Sequence, residues 1–171
     1  KVADIFFDLV PHFQDLQVLD MGGGFKVPYQ ANEKGTDIPL LAKKVGEVLN
    51  KFETTYGKKF QVWFEPGKYL VSECGYLITS VNVIKETPSV LFAGINSGFN
   101  HLIRPMFYEA YHPIRNISNP NGPIKNYAVT GNICETDNFA WDRPINEIRE
   151  NDLLVIDNVG AYGFEMGSNY N

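Results

Sequence analysis

Apolar positions follow two different periodicities along this chain, and the change from one to the other divides it. Val2, Ile5, Phe6, Leu9 and Val10 recur at helical spacing, and Pro11 ends or kinks that helix. Gln17-Val18-Leu19-Asp20 is a short apolar run that enters Gly22-Gly23-Gly24, the pattern of a strand delivered into a tight turn. Asp37 stands where a helix N-cap belongs, with Pro39 in the first turn. Leu40, Leu41, Val45, Val48, Leu49 and Phe52 then share one face, and Gly57 closes the helix. Residues 60–64 read as a second, buried strand ending at Glu65-Pro66-Gly67. Strand, helix and strand joined by short loops predict a parallel βαβ unit. Its unusual residues, the glycine run and Glu65, both fall where a strand ends. In a (β/α)8 barrel that rim carries the active site, and a whole barrel needs about 250 residues. The expectation is therefore the last strand–helix units of such a barrel.

Beyond Lys68 the helical spacing gives way to β-rich runs at 69–72, 76–85, 90–93, 127–133 and 152–156, separated by clusters such as Asn119-Pro120-Asn121-Gly122-Pro123. The predicted fold class is α/β plus all-β, a barrel end followed by a C-terminal β-sandwich or β-barrel. The change of style places the boundary near residues 68–76, with 1–70 as the barrel end and 71–171 as the β domain.

Composition narrows the function classes. A net charge of −5 with no basic run argues against nucleic-acid binding. No apolar stretch approaches the length that spans a bilayer, so a soluble protein without membrane contact is expected, and the two isolated cysteines make a reducing cytoplasm the default setting. Cys74 and Cys134 are too few and too isolated for a disulfide framework or a zinc site, and no metal is expected. The chain opens at Lys1-Val2-Ala3-Asp4 and closes at Asn169-Tyr170-Asn171, with neither an initiator Met nor a charged tail, so a fragment of a longer protein is expected.

Five short stretches carry candidate chemistry, each with a plainer alternative. Gly22, Gly23 and Gly24 let backbone N–H groups approach an anion without an intervening Cβ, and a phosphate is the natural guest; a tight turn needs the same residues. Glu65 and Lys68 offer an acid and a base at a strand end, where a carboxylate keeps a pyridine nitrogen protonated, or where both are simply solvated. Arg104 and Tyr108 lie four apart, so a helix puts guanidinium and phenol on one face to clamp a carboxylate or phosphate; a surface Arg beside a core Tyr has the same spacing. Cys134 beside Glu135 is either an inert buried thiol or a proton donor near a cofactor. Gly160-Ala161-Tyr162-Gly163 sets one aromatic among small residues, as a ligand contact or a β-turn requires. His12, His101 and His112 show no metal or triad spacing and receive no role.

The order of these stretches resembles the barrel-fold, alanine racemase-like pyridoxal-phosphate decarboxylases. Leu19-Asp20-Met21-Gly22-Gly23-Gly24-Phe25 is similar to that family's glycine loop, and Glu65-Pro66-Gly67-Lys68 to its Glu-Pro-Gly-Arg motif. The segment from Asn96 to His112, with Leu102-Ile103-Arg104-Pro105 and Tyr108, resembles the substrate segment, and Ile133-Cys134-Glu135 the Cys-Glu signature. Gly160-Ala161-Tyr162-Gly163-Phe164, running on to Ser168-Asn169-Tyr170-Asn171, is close to the ending of the branch that acts on diaminopimelate.

The resemblance implies an enzyme that uses pyridoxal 5'-phosphate to decarboxylate meso-diaminopimelate to L-lysine and CO2. Gly22, Gly23 and Gly24 would hold the cofactor phosphate, Glu65 the ring nitrogen, and Tyr162 the cofactor. Arg104 and Tyr108 would hold the substrate's carboxylate end, with Lys68 as a further substrate contact. Cys134 would act as the catalytic thiol in the opposite subunit of a homodimer with shared sites, and Glu135 would recognise the distal amino group. Lys68 departs from the family's Arg, a point charge in place of a bidentate fork. No lysine here matches the Schiff-base motif, so the 171 residues alone are expected to be inactive. Other readings are a sister enzyme for ornithine, arginine or carboxynorspermidine, a non-catalytic homologue of the antizyme-inhibitor type, and a small phosphate-binding α/β module.

Overall fold

The computed structural model describes residues 2–30 and 32–171, with the side chains of Val2 and Asp4 also outside the description. The chain divides into two compact units, one formed by residues 1–27 and 34–67 and the other by 28–33 and 68–171.

The first unit holds helix α1 (Val2–Leu9), strand β1 (Val18–Asp20), helix α2 (Ile38–Tyr56) and strand β2 (Gln61–Trp63). Pro11 sits in a single 3-10 turn, Val10–His12, that ends α1. Of the residues placed on the apolar face of α1, Val2 has a side chain outside the described set, whereas Val10 is buried. The caps of α2 are those its sequence dictates. Asp37 accepts from the Leu40 N–H at 2.9 Å and Gly57 closes the helix at φ 78° in the left-handed region, where a Cβ is costly. Phe52 stacks on Phe7 with ring centroids 4.1 Å apart, yet no residue of α2 is fully buried.

β1 and β2 pair in parallel, Leu19 opposite Val62. The expectation of a buried second strand is corrected here: Trp63 is 56% exposed and Phe64 40%. Among the described residues β2 pairs with β1 alone in a two-stranded sheet, and such a ribbon cannot cover both faces.

Besides residues 28–33 the second unit holds a turn of helix, α3 (Gly67–Val71, of which Gly67 belongs to the first unit), then β3 (Leu77–Glu86), β4 (Leu91–Ile95), α4 (Arg104–Tyr108), β5 (Ile114–Asn116), β6 (Ile124–Thr130), β7 (Asn138–Asn146) and β8 (Leu153–Ile156). Six strands form one mixed sheet in the order β5-β8-β3-β4-β6-β7. All neighbours are antiparallel except β4 and β6, which pair in parallel because the connection between them carries α4 and β5. Inward residues of successive strands, among them Val81, Ile95, Tyr127, Val129, Phe139, Ile145, Leu154 and Ile156, make one core. The Tyr127 hydroxyl accepts from the Ile148 N–H at 2.9 Å, which satisfies its one polar atom inside that core.

Residues 69–72, expected as a strand, are helical. Ser72 is fully buried and its hydroxyl donates back to the Lys68 carbonyl at 2.8 Å, a local bond that competes with a sheet ladder. β6 stops at Thr130, short of the expected 133, because Asp137 gathers the following loop: its carboxylate accepts from Ile133 N–H and its carbonyl from Gly131 N–H. β5 and β7 have no counterpart in the sequence-based strands. β5 has only three residues, and β7 contains Pro144, which is tolerated because β7 is an edge strand.

Candidate functional site

In the first unit the candidate residues lie at the C-terminal ends of the paired strands. Met21 N–H donates to Trp63 O at 2.9 Å and Glu65 N–H to Gly22 O at 2.8 Å, so the parallel pairing carries on past both strands into the loops. Gly22 and Gly24 adopt φ 70° and 83°, a conformation that favours glycine. Gly23 is needed for a different reason: a Cβ there would lie 2.5 Å from the Glu65 carbonyl oxygen. The Gly22 N–H is already engaged, donating to Asp20 Oδ1 at 2.8 Å. The two amides left for an anion are those of Gly23 and Gly24. Above Gly22 and Gly24 there is open space within 4 Å of a built Cβ, so the loop suits a phosphate held by backbone donors. Glu65 is exposed, next to the glycine loop.

In the second unit Arg104 opens the one-turn helix α4, with Tyr108 at its end. The helical spacing does what the sequence predicts, and the Arg104 guanidinium lies 5.7 Å from the Tyr108 ring centroid. Two further rings surround it, Tyr162 at 5.5 Å and Tyr29 at 6.0 Å. Tyr162 is held at φ 59° in the turn after β8. Lys68 Nζ stands 5.5 Å from the same Tyr29 ring. Two cations and three aromatic rings thus form one cluster. Arg104 Nε and the Tyr29 hydroxyl are buried without hydrogen-bond partners. A buried donor left unpaired costs about 1–3 kcal/mol, and of the two it is the Arg104 guanidinium whose planar fork suits an acceptor that a ligand would bring.

His112 packs edge-on against Tyr29, with centroids 5.5 Å apart. It is fully buried, and its Nδ1 is 2.9 Å from the Asp157 carbonyl. A carbonyl can only accept, so Nδ1 carries the proton and Nε2 is a bare acceptor, buried without a partner. Burial lowers the His112 pKa; the Asp157 bond opposes this, while Arg104 and Arg143 lower it further. Arg143 donates to the His112 carbonyl at 2.6 Å and lies 3.5 Å over the Tyr111 ring, fixing the segment that follows α4.

Cys134 and Glu135 lie in the loop between β6 and β7, and both are exposed, which removes the buried-thiol alternative for Cys134. Their contacts are with the end of the chain: Glu135 accepts from the Tyr170 hydroxyl at 3.1 Å, and Asn171 Nδ2 is 3.9 Å from Cys134 Sγ. The structure therefore gathers Arg104, Tyr108, Tyr162 and Lys68 in one cluster and gives Cys134 and Glu135 a second setting in the same unit. Tyr29 carries no sequence signal, His112 receives no role from its spacing, and Tyr170 enters only as part of the Ser168-Asn169-Tyr170-Asn171 ending. Among the described residues no helix is long and apolar enough to cross a membrane.

Residues 26–160 match the family model described as pyridoxal-dependent decarboxylase, C-terminal sheet domain. The chain belongs to this family. Its mixed sheet is that C-terminal sheet domain. Among curated relatives, the diaminopimelate decarboxylase of Methanothermobacter thermautotrophicus is 41% identical over 160 residues, which is 92% of this chain and 37% of the relative. The crystal structure of diaminopimelate decarboxylase from Methanocaldococcus jannaschii superimposes with a TM-score of 0.90 at 34% identity, over 100% of this chain and 39% of that one. The Helicobacter pylori enzyme, crystallised with L-lysine, gives a TM-score of 0.84 at 34% identity, over 99% and 41%. The chain thus spans about two-fifths of the length of these relatives.

Proposed function

We propose that this chain is the C-terminal portion of a decarboxylase that converts meso-diaminopimelate to L-lysine and CO2 with pyridoxal 5'-phosphate. Residues 1–70 are read as the end of a (β/α)8 barrel and 71–171 as the β domain, in a cytoplasmic homodimer whose subunits complete each other's sites.

The observation that carries this reading is the Arg104 cluster: a guanidinium with a buried, unpartnered Nε, ringed by Tyr29, Tyr108 and Tyr162 and accompanied by Lys68. A planar carboxylate is the acceptor that such a fork takes in two parallel bonds. Arg104 and Tyr108 would hold the substrate's carboxylate end, with Lys68 adding positive charge. The amides of Gly23 and Gly24 would hold the cofactor phosphate, with Gly22 shaping the turn through Asp20. Glu65 would keep the proton on the pyridine nitrogen, and Tyr162 would pack against the cofactor. When bound, pyridoxal phosphate supplies an electron sink for the pair left behind as the α-carboxylate departs. Cys134 would deliver a proton at the carbon that loses CO2, and Glu135 would pair with the substrate's distal ammonium, each acting in the opposite subunit.

The test is CO2 release by the full-length protein carrying this sequence. Turnover of meso-diaminopimelate is expected, with turnover of ornithine and arginine at least a hundredfold lower, and an Arg104→Ala variant should lose at least tenfold in kcat/KM. Preferential turnover of ornithine, arginine or carboxynorspermidine would overturn the substrate, and failure to bind the cofactor would overturn the enzyme reading. The 171 residues alone should show no turnover.

A further inference from the structure

The closing segment of the chain is tied to the loop that carries Cys134 and Glu135. Ser168 N–H donates to the Asn100 carbonyl at 2.8 Å, and Asn100 Nδ2 donates to the Tyr170 carbonyl at 3.0 Å, a reciprocal pair that lays residues 168–170 along the 97–101 loop. Phe99 stacks on Tyr170 with centroids 5.6 Å apart and planes 27° from parallel. Those contacts aim the phenol at the neighbouring loop, where its hydroxyl donates to Glu135 Oε1 at 3.1 Å. The carboxylate raises the Tyr170 pKa through that bond, so the phenol stays a donor at neutral pH.

The loop itself is anchored from below. Asp137 is buried and its carboxylate accepts from Phe99 N–H at 2.8 Å and Ile133 N–H at 3.1 Å. One carboxylate thus joins the loop that the tail rests on to the loop that the tail reaches. What remains free in this arrangement is the rotation of the exposed Glu135 side chain. Tyr170 fixes one of its two oxygens and leaves the other for a ligand.

We propose that Tyr170 is a positioning residue for Glu135: its hydroxyl holds the carboxylate in the orientation that receives an ammonium group, and the Ser168–Asn171 segment is the strap that holds the hydroxyl. This rests on the reading of Glu135 as the group that recognises the distal ammonium. A pre-aimed carboxylate lowers the ordering cost of binding and acts on affinity rather than on the chemical step.

The experiment uses the full-length protein and the variants Tyr170→Phe, Glu135→Gln, their double mutant and Tyr170→Ala. Tyr170→Phe keeps the stack on Phe99 and should raise KM for meso-diaminopimelate about fivefold, with kcat within about twofold of the parent. Placed on Glu135→Gln, the same change should add almost nothing, since the carboxylate it positions is gone. Additive effects on KM, an unchanged KM, or a fall confined to kcat would overturn the proposal. Amide hydrogen exchange across residues 131–137 needs no turnover. Tyr170→Ala should speed it about threefold or more, and unchanged exchange would overturn the strap even if diaminopimelate proves not to be the substrate.

Discussion

The Nδ1–H of His112 donates to the Asp157 carbonyl at 2.9 Å, and this single bond fixes the tautomer of a ring that has no access to water. The ring packs on Tyr29, and Arg104 and Arg143 are the cations near enough to act on it. The cluster that holds Arg104 is therefore built on a histidine that must stay neutral.

Stability should accordingly fall on the acid side through this residue. Burial lowers the His112 pKa in the folded state below the ordinary imidazole value of about 6.5. The stabilisation is complete above the unfolded pKa. As pH falls below it, the unfolded chain takes up a proton that the folded chain refuses, and stability drops until the folded pKa is reached. Urea unfolding of the full-length protein between pH 8 and pH 5 should show this drop, and His112→Gln should flatten it while lowering stability at pH 8. A pH dependence identical in the two proteins would show that another group is responsible.

At the glycine loop the limit is steric. A methyl group on residue 23 would press on the Glu65 carbonyl oxygen, 2.5 Å away, while Glu65 N–H is bonded to Gly22 O. Neither strand end can then relax without breaking the bonds that align them. Gly23→Ala should cost about 1–3 kcal/mol, the usual scale of overpacking. Cofactor affinity, read by absorbance titration of the full-length apoprotein, should weaken at least tenfold, because the Gly23 and Gly24 amides move with the backbone. Retention of parental affinity would show that the phosphate is held elsewhere.

The parts of the fold that were legible beforehand are those specified locally. Helix α2 announces itself through Asp37, Pro39 and Gly57: Asp37 and Gly57 cap it, and Pro39 sits in its first turn. β3, β4, β6 and β8 lie in β-rich runs, and each buries residues in one core. β7 was not legible because Pro144 reads as a breaker until its edge position is known. The helix at 69–72 was hidden because its support is tertiary: the Gly160 N–H reaches the Ser72 carbonyl from far along the chain. The site divides in the same way. Arg104 and Tyr108 follow from helical spacing, whereas Tyr29 lies in a loop with no periodicity and acquires its meaning from the two cations that tertiary folding brings to its ring.

That ring yields the last prediction. Tyr29 faces Lys68 Nζ at 5.5 Å and the Arg104 guanidinium at 6.0 Å, distances at which a cation is attracted to an aromatic ring by about 0.5–2 kcal/mol. The hydroxyl contributes nothing to this, since it is buried and unpaired. Tyr29→Phe should therefore leave KM for the amino-acid substrate within about twofold and hold or raise stability, because it removes an unsatisfied polar atom. Tyr29→Leu keeps apolar volume but deletes the ring, and KM should rise about three- to tenfold as both cations lose their platform. Lys68→Arg tests the same surface from the other side. A guanidinium keeps the contact with the ring and adds a second parallel donor for a carboxylate, so KM should fall. A rise in KM with Lys68→Arg would mean that the compact ammonium, rather than the charge alone, is what this site is shaped to hold.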